Sequence, residues 1–116
     1  MRKLIPLLAL AFLIGCATFQ GNAGKVLATA ATTVDAEMKG WAAFVVAGGA
    51  TDAQQAQVRA AYSKYQIAMS AAETAYMTAV KTGDQSSWGT AAAALLASQS
   101  QLIALAQSFQ TQPKTP

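Results

Sequence analysis

The chain contains no histidine, a single cysteine, three prolines and very little charge, with Asp, Glu, Lys and Arg together making up 11% of 116 residues. Each scarcity excludes something. One thiol cannot close an intramolecular disulfide. Without histidine the usual imidazole base, nucleophile–base pairs and soft metal sites are missing, so neither a catalytic dyad nor a metal centre is expected. The five acids are Asp35, Glu37, Asp52, Glu73 and Asp84. Asp35 and Glu37 lie two apart, which on a helix points them to different faces, and Asp52 and Asp84 fall where helices should start, suiting the macrodipole. They read as solvated and capping residues, and no catalytic residue, cofactor or metal is expected. Gly48-Gly49 has no lysine at the spacing of a phosphate loop. The chain reads as non-enzymatic.

The formal charge of +3 points to no polyanion. Arg2 and Lys3 belong to the amino-terminal segment. Beyond it, Lys25, Lys39, Arg59, Lys64, Lys81 and Lys114 face five acids, leaving +1. No clustered basic patch remains to neutralise phosphates, so nucleic acid is not an expected partner.

What is abundant is apolar and small: 53% hydrophobic residues, much of it alanine, the best intrinsic helix former. The most specific pattern comes first. Arg2-Lys3 is a short positive region, and Leu4 to Ile14 is an apolar run of 11 residues. A membrane-spanning helix needs about 20, so this run suits a cleavable export signal. It ends in Leu13-Ile14-Gly15-Cys16. That tetrad resembles the lipobox of bacterial lipoproteins: an aliphatic residue, a tolerant position, a small residue, then cysteine. The resemblance implies a signal peptide over 1–15, cleavage between Gly15 and Cys16, a diacylglyceryl group on the Cys16 thiol and an acyl group on its freed amine. The membrane, reached through this anchor, is then the first partner. Ala17, in place of the aspartate associated with inner-membrane retention, implies the outer membrane facing the periplasm in a host with two membranes. Three other readings stay open. Gly15-Cys16-Ala17 also has the small residues an ordinary signal peptidase reads, giving a secreted soluble protein from near Thr18; a second reading is an uncleaved core helix, and a third an incidental cysteine.

The 101 residues from Cys16 onward form one domain at most. Residues 16–22 read as a polar, lipidated tether with Asn22 as a helix cap. A first helix is expected over about 23–47, with an apolar seam of Leu27, Ala31, Val34, Met38, Trp41 and Val45 in 4-3 alternation, ended by Gly48-Gly49. Asp35 and Lys39 should pair on an exposed face. Thr51-Asp52-Ala53-Gln54 reads as a capping box opening a second helix over about 52–82, with a seam of Val58, Tyr62, Tyr65, Met69, Ala72, Tyr76 and Ala79. A third is expected over about 87–110, where Trp88, Leu95, Leu102 and Phe109 recur every seven residues and Leu96, Ile103 and Leu105 widen the stripe. Ser98, Gln99 and Ser100 interrupt that stripe and argue against a membrane span. Residues 111–116, with Pro113 and Pro116, read as a disordered tail.

Three similar helices joined by short connections predict an all-α, antiparallel three-helix bundle running up, down, up over 23–110. A helical hairpin that oligomerises through the third helix is the alternative. Tyr62, Tyr65, Tyr76, Trp41 and Trp88 either line one apolar groove or fill the core of an alanine-dense bundle, and the core reading is preferred. The chain ends Pro113-Lys114-Thr115-Pro116, without the terminal lysine of the lipoprotein that links to the cell wall. Thr33-Val34-Asp35 through Trp41 and Val58-Arg59-Ala60-Ala61-Tyr62 resemble small alanine-rich helical lipoproteins of unknown role in bacterial and phage genomes. The expected role is a non-catalytic structural or protein-interaction module of the cell envelope, with an envelope protein or a second copy as partner. The alternatives are a phage-encoded envelope factor acting in lysis or superinfection exclusion, and a small apolar-ligand carrier.

Overall fold

A computed structural model describes residues 16–111. Residues 1–15, expected as an export signal and including Leu13, Ile14 and Gly15, and residues 112–116, expected as a disordered tail, lie outside the described residues. Within them the protein is all-helical: α1 (Cys16–Val46), α2 (Asp52–Thr82) and α3 (Trp88–Thr111), with no strand.

The helix ends follow from local chemistry. At the close of α1, Gly48 takes φ +82°, a left-handed conformation without a Cβ penalty for glycine. Its N–H donates to the Val45 carbonyl and that of Gly49 to the Phe44 carbonyl, both at 2.9 Å, the paired bonds of a Schellman termination. A Cβ on Gly49 would run into the Phe44 ring. The expected box opens α2: Gln54 N–H donates to Thr51 Oγ1 at 3.1 Å, and Thr51 N–H donates back to Gln54 Oε1 at 2.9 Å. Gly83, at φ +79°, closes α2 with a 2.9 Å bond to the Ala79 carbonyl. Asp84 then shapes the turn into α3 by accepting from the Ser86 N–H at 2.9 Å.

Ring contacts set the topology. Phe19, near the start of α1, meets Tyr76, late in α2, and Trp88, the first residue of α3. Trp41, late in α1, meets Phe109, late in α3. α1 and α3 are therefore parallel and α2 is antiparallel to both, the up-down-up order the short connections predict. The α2–α3 pairing is the most extensive of the three.

The core is narrow and mostly small. Leu95, Leu102, Val34 and Val58 are its largest fully buried side chains, joined by Ala30, Ala72 and Ala106, with Trp41 and Tyr65 also buried. The second seam holds throughout, with Val58, Tyr65, Ala72 and Ala79 buried and Tyr62, Met69 and Tyr76 half-buried. The heptad of α3 holds too, although Leu96 remains 47% exposed and Ala106 takes a fully buried place beside Leu102.

Two expectations about the first helix are corrected. It starts at Cys16 rather than near Ala23, so 16–22 is the first two turns of α1 and not a polar tether, and Asn22 is an exposed helical residue rather than a cap. The cause is tertiary: Phe19 docks against two aromatic rings and Ala23 is 1% exposed against the other helices, which outweighs the weak helix preference of Gly21 and Asn22. The seam departs at one position, where Ala30 is buried and Ala31 exposed, while Leu27, Val34, Met38, Trp41 and Val45 pack inward.

Candidate functional site

Cys16 is the residue on which the functional argument turns, and it opens α1. Its partners in the tetrad, Leu13, Ile14 and Gly15, lie outside the described residues. What the fold adds is the identity of the surface around it. Cys16 precedes Phe19 by three residues, or about 4.5 Å of helical rise. Phe19 stacks on Tyr76 with ring centroids 6.4 Å apart and meets Trp88 edge-on at 5.9 Å, while Tyr76 and Trp88 stand 6.3 Å apart. One ring from each helix thus closes this end of the bundle. All three residues are only half-buried.

At the opposite end Trp41 lies between Phe44, at 5.6 Å, and Phe109, at 6.0 Å. There Glu37 departs from the solvated role expected of it. Its Oε1 accepts from the Gln107 side-chain amide at 3.2 Å and its Oε2 from Gln110 at 3.1 Å, tying α1 to the last turns of α3. Asp35, two residues away, pairs with Lys39 at 3.4 Å across an exposed face, as its spacing predicts. Both partners there are more than two-thirds exposed, so the pair contributes a few tenths of a kcal/mol at most.

The five aromatics singled out in the sequence do not line one groove. Tyr76 and Trp88 belong to the Cys16 end; Tyr62 and Tyr65 neighbour each other at 5.9 Å along α2, and Trp41 lies at the far end of α1. Tyr65 is buried in the core, and that burial raises its phenol above the ordinary value, with Tyr62 and Glu73 adding to the effect. Between the end of α1 and the start of α2 runs a shallow apolar groove of about 330 Å³, lined by Met38, Trp41, Val45, Val58 and Tyr62 with Gln55 and Arg59 at its edge. It is a surface groove rather than the closed chamber that an apolar-ligand carrier uses to bury most of its cargo.

No group of three or more His, Cys, Asp and Glu side chains gathers as a cation site among the described residues. Asp84 is fully exposed, and hydrogen bonds from the Ser86 hydroxyl and N–H hold its carboxyl below the usual range. That is turn chemistry, not acid–base poise. The Gln99 side-chain carbonyl oxygen is buried and meets no donor among the described residues, beside a small groove between α1 and α3 that includes Lys25, Thr29 and Leu96. By length and composition alone α3, at 24 residues, could cross a membrane. In the bundle its Leu95, Leu102 and Ala106 are fully buried against the other helices.

Sequence reasoning missed the link between Glu37 and the two glutamines, because a helix-surface acid gives no sign of a partner 70 residues away. It also missed Phe19, which was placed in the tether, although a lone aromatic in a polar stretch was a visible signal. Searches against protein-family models, curated proteins and solved structures found no match to this chain.

Proposed function

We propose that the protein is a bacterial lipoprotein, anchored through Cys16, whose helical bundle serves as a non-catalytic structural or protein-interaction module at the cell envelope. The observation that carries this reading is the sequence Leu13-Ile14-Gly15-Cys16 placed directly after Arg2-Lys3 and an apolar run too short to span a bilayer. Two or three acyl chains, at about 0.8 kcal/mol per buried methylene, hold a protein on a bilayer without basic residues. The near-neutral chain beyond Gly15 supplies none in a cluster. Ala17 favours the outer membrane, facing the periplasm, in a host that has one.

The mechanism is passive. Lipid confines the bundle to one surface, and an outward helix face meets an envelope protein or a second copy. Labelling cells with an alkyne fatty acid, followed by detergent phase partitioning, tests the anchor. The wild-type chain should take the label and enter the detergent phase, whereas Cys16→Ser should do neither. A wild-type chain recovered unlabelled from the aqueous phase would refute it.

A further inference from the structure

The geometry points to the Phe19–Tyr76–Trp88 end of the bundle as a lipid-contacting surface, seated end-on at the headgroup level of the bilayer; this rests on the anchoring of Cys16 proposed above. Three observations lead there. First, no spacer separates Cys16 from the folded bundle, because α1 begins at that residue. Acyl chains on Cys16 therefore hold the bundle end itself, not a tethered domain, against the membrane. Second, the α2–α3 turn lies at the same end. Tyr76 is level with Phe19, and α2 continues six residues beyond it to Thr82, about 9 Å. Cys16 stands only about 4.5 Å beyond Phe19. Residues 83–87 consequently reach at least as far out as Cys16, so a bilayer that receives the acyl chains meets this turn too. Gly83, Asp84, Gln85, Ser86 and Ser87 are polar or small and suit the hydrated headgroup layer, and Lys81 and Asp84 bring one charge of each sign.

Third, the rings behind the turn have interfacial chemistry. Tryptophan and tyrosine settle at the boundary of water and hydrocarbon because each has an apolar body and a polar handle. The two tryptophans of this chain differ in that respect. Trp41 is 8% exposed in the core, whereas Trp88 is half-buried on the rim. The rest of the bundle then projects away from the membrane. Trp41, 22 residues along α1 from Phe19, lies about 33 Å from the bilayer side.

The two tryptophans make the test. Full-length protein is expressed, purified in its membrane form and reconstituted in phosphatidylcholine vesicles, with or without a nitroxide on the lipid headgroup as a fluorescence quencher. Trp41→Phe leaves Trp88 as the reporter, and Trp88→Phe leaves Trp41. Both substitutions keep a ring in place, and circular dichroism checks that both variants remain helical. The expected result is loss of Trp88 emission in the nitroxide-bearing vesicles, with Trp41 emission unchanged. Intact mass on the same sample separates the two ways of failing. An acylated, vesicle-bound chain whose Trp88 is not quenched, or whose Trp41 is quenched equally, overturns the end-on seat and leaves the anchor standing. A chain without acyl mass overturns both.

Discussion

Glu37 and Gln110 stand 73 residues apart in sequence and 3.1 Å apart in space, with Gln107 on the other carboxylate oxygen at 3.2 Å. Together with the Trp41–Phe109 ring contact they join the two parallel helices near their carboxy-terminal ends. A hydrogen bond to a charged acceptor contributes more than a neutral one, though partial exposure reduces it. Glu37→Ala should destabilise by about 1 kcal/mol, lowering the melting temperature by about 4–8 °C for a domain of this size. Adding Gln107→Ala and Gln110→Ala to Glu37→Ala, a triple variant, should cost little more, because all three residues act through one contact. Thermal melts of the set would show additive losses if the contact were not shared.

Leu95 and Leu102 are fully buried on α3 while Leu96, next in sequence, is 47% exposed. Leu95→Ala or Leu102→Ala should each cost about 3 kcal/mol, the usual result of leaving a cavity in a packed core. Leu96→Ala should stay within about 0.5 kcal/mol. Urea titration compares the three. Equal midpoints for Leu95→Ala and Leu96→Ala would mean that α3 packs by another face.

The capping box at Thr51 satisfies two backbone donors that the first turn of α2 leaves without helical partners. Thr51→Ala should cost about 1 kcal/mol, and Thr51→Ser far less because the hydroxyl is kept. Identical losses for both would assign the effect to something other than the cap.

Tyr65 gives the bundle an alkaline dependence. Burial raises its phenol above the ordinary value near 10, so folding favours the neutral form. The contribution is fully present below the unfolded value and is lost as pH rises from there through the folded one. Tyr65→Phe should therefore flatten the stability profile above pH 10 and remove one ionisation from the absorbance titration near 295 nm. An unchanged alkaline profile would show that Tyr65 ionises alike in the folded and unfolded chain.

The legible parts of this fold are those with local or strictly periodic chemistry. Thr51 and Gln54 mark the start of α2, Gly48-Gly49 the end of α1, and the seven-residue spacing of Trp88, Leu95, Leu102 and Phe109 the buried side of α3. Alanine blurred the first helix. Ala30 and Ala31 are chemically identical neighbours, and only packing decides which one faces inward. Cap chemistry misled at Asn22, where Phe19 carries the helix two turns further by docking on rings from the other two helices. The tetrad on which the proposed anchor rests is visible in the sequence because it lies in adjacent residues. The aromatic end beside it was not, because Phe19, Tyr76 and Trp88 meet only after folding.

The central claim is that Cys16 becomes a lipid-bearing first residue. Intact mass of the protein from the membrane fraction, wild type beside Cys16→Ser, tests it most directly. A wild-type chain that begins at Cys16 and carries diacylglyceryl and acyl mass, absent from the variant, is the predicted result. An unmodified chain that begins near Thr18, recovered from the soluble fraction, would contradict it.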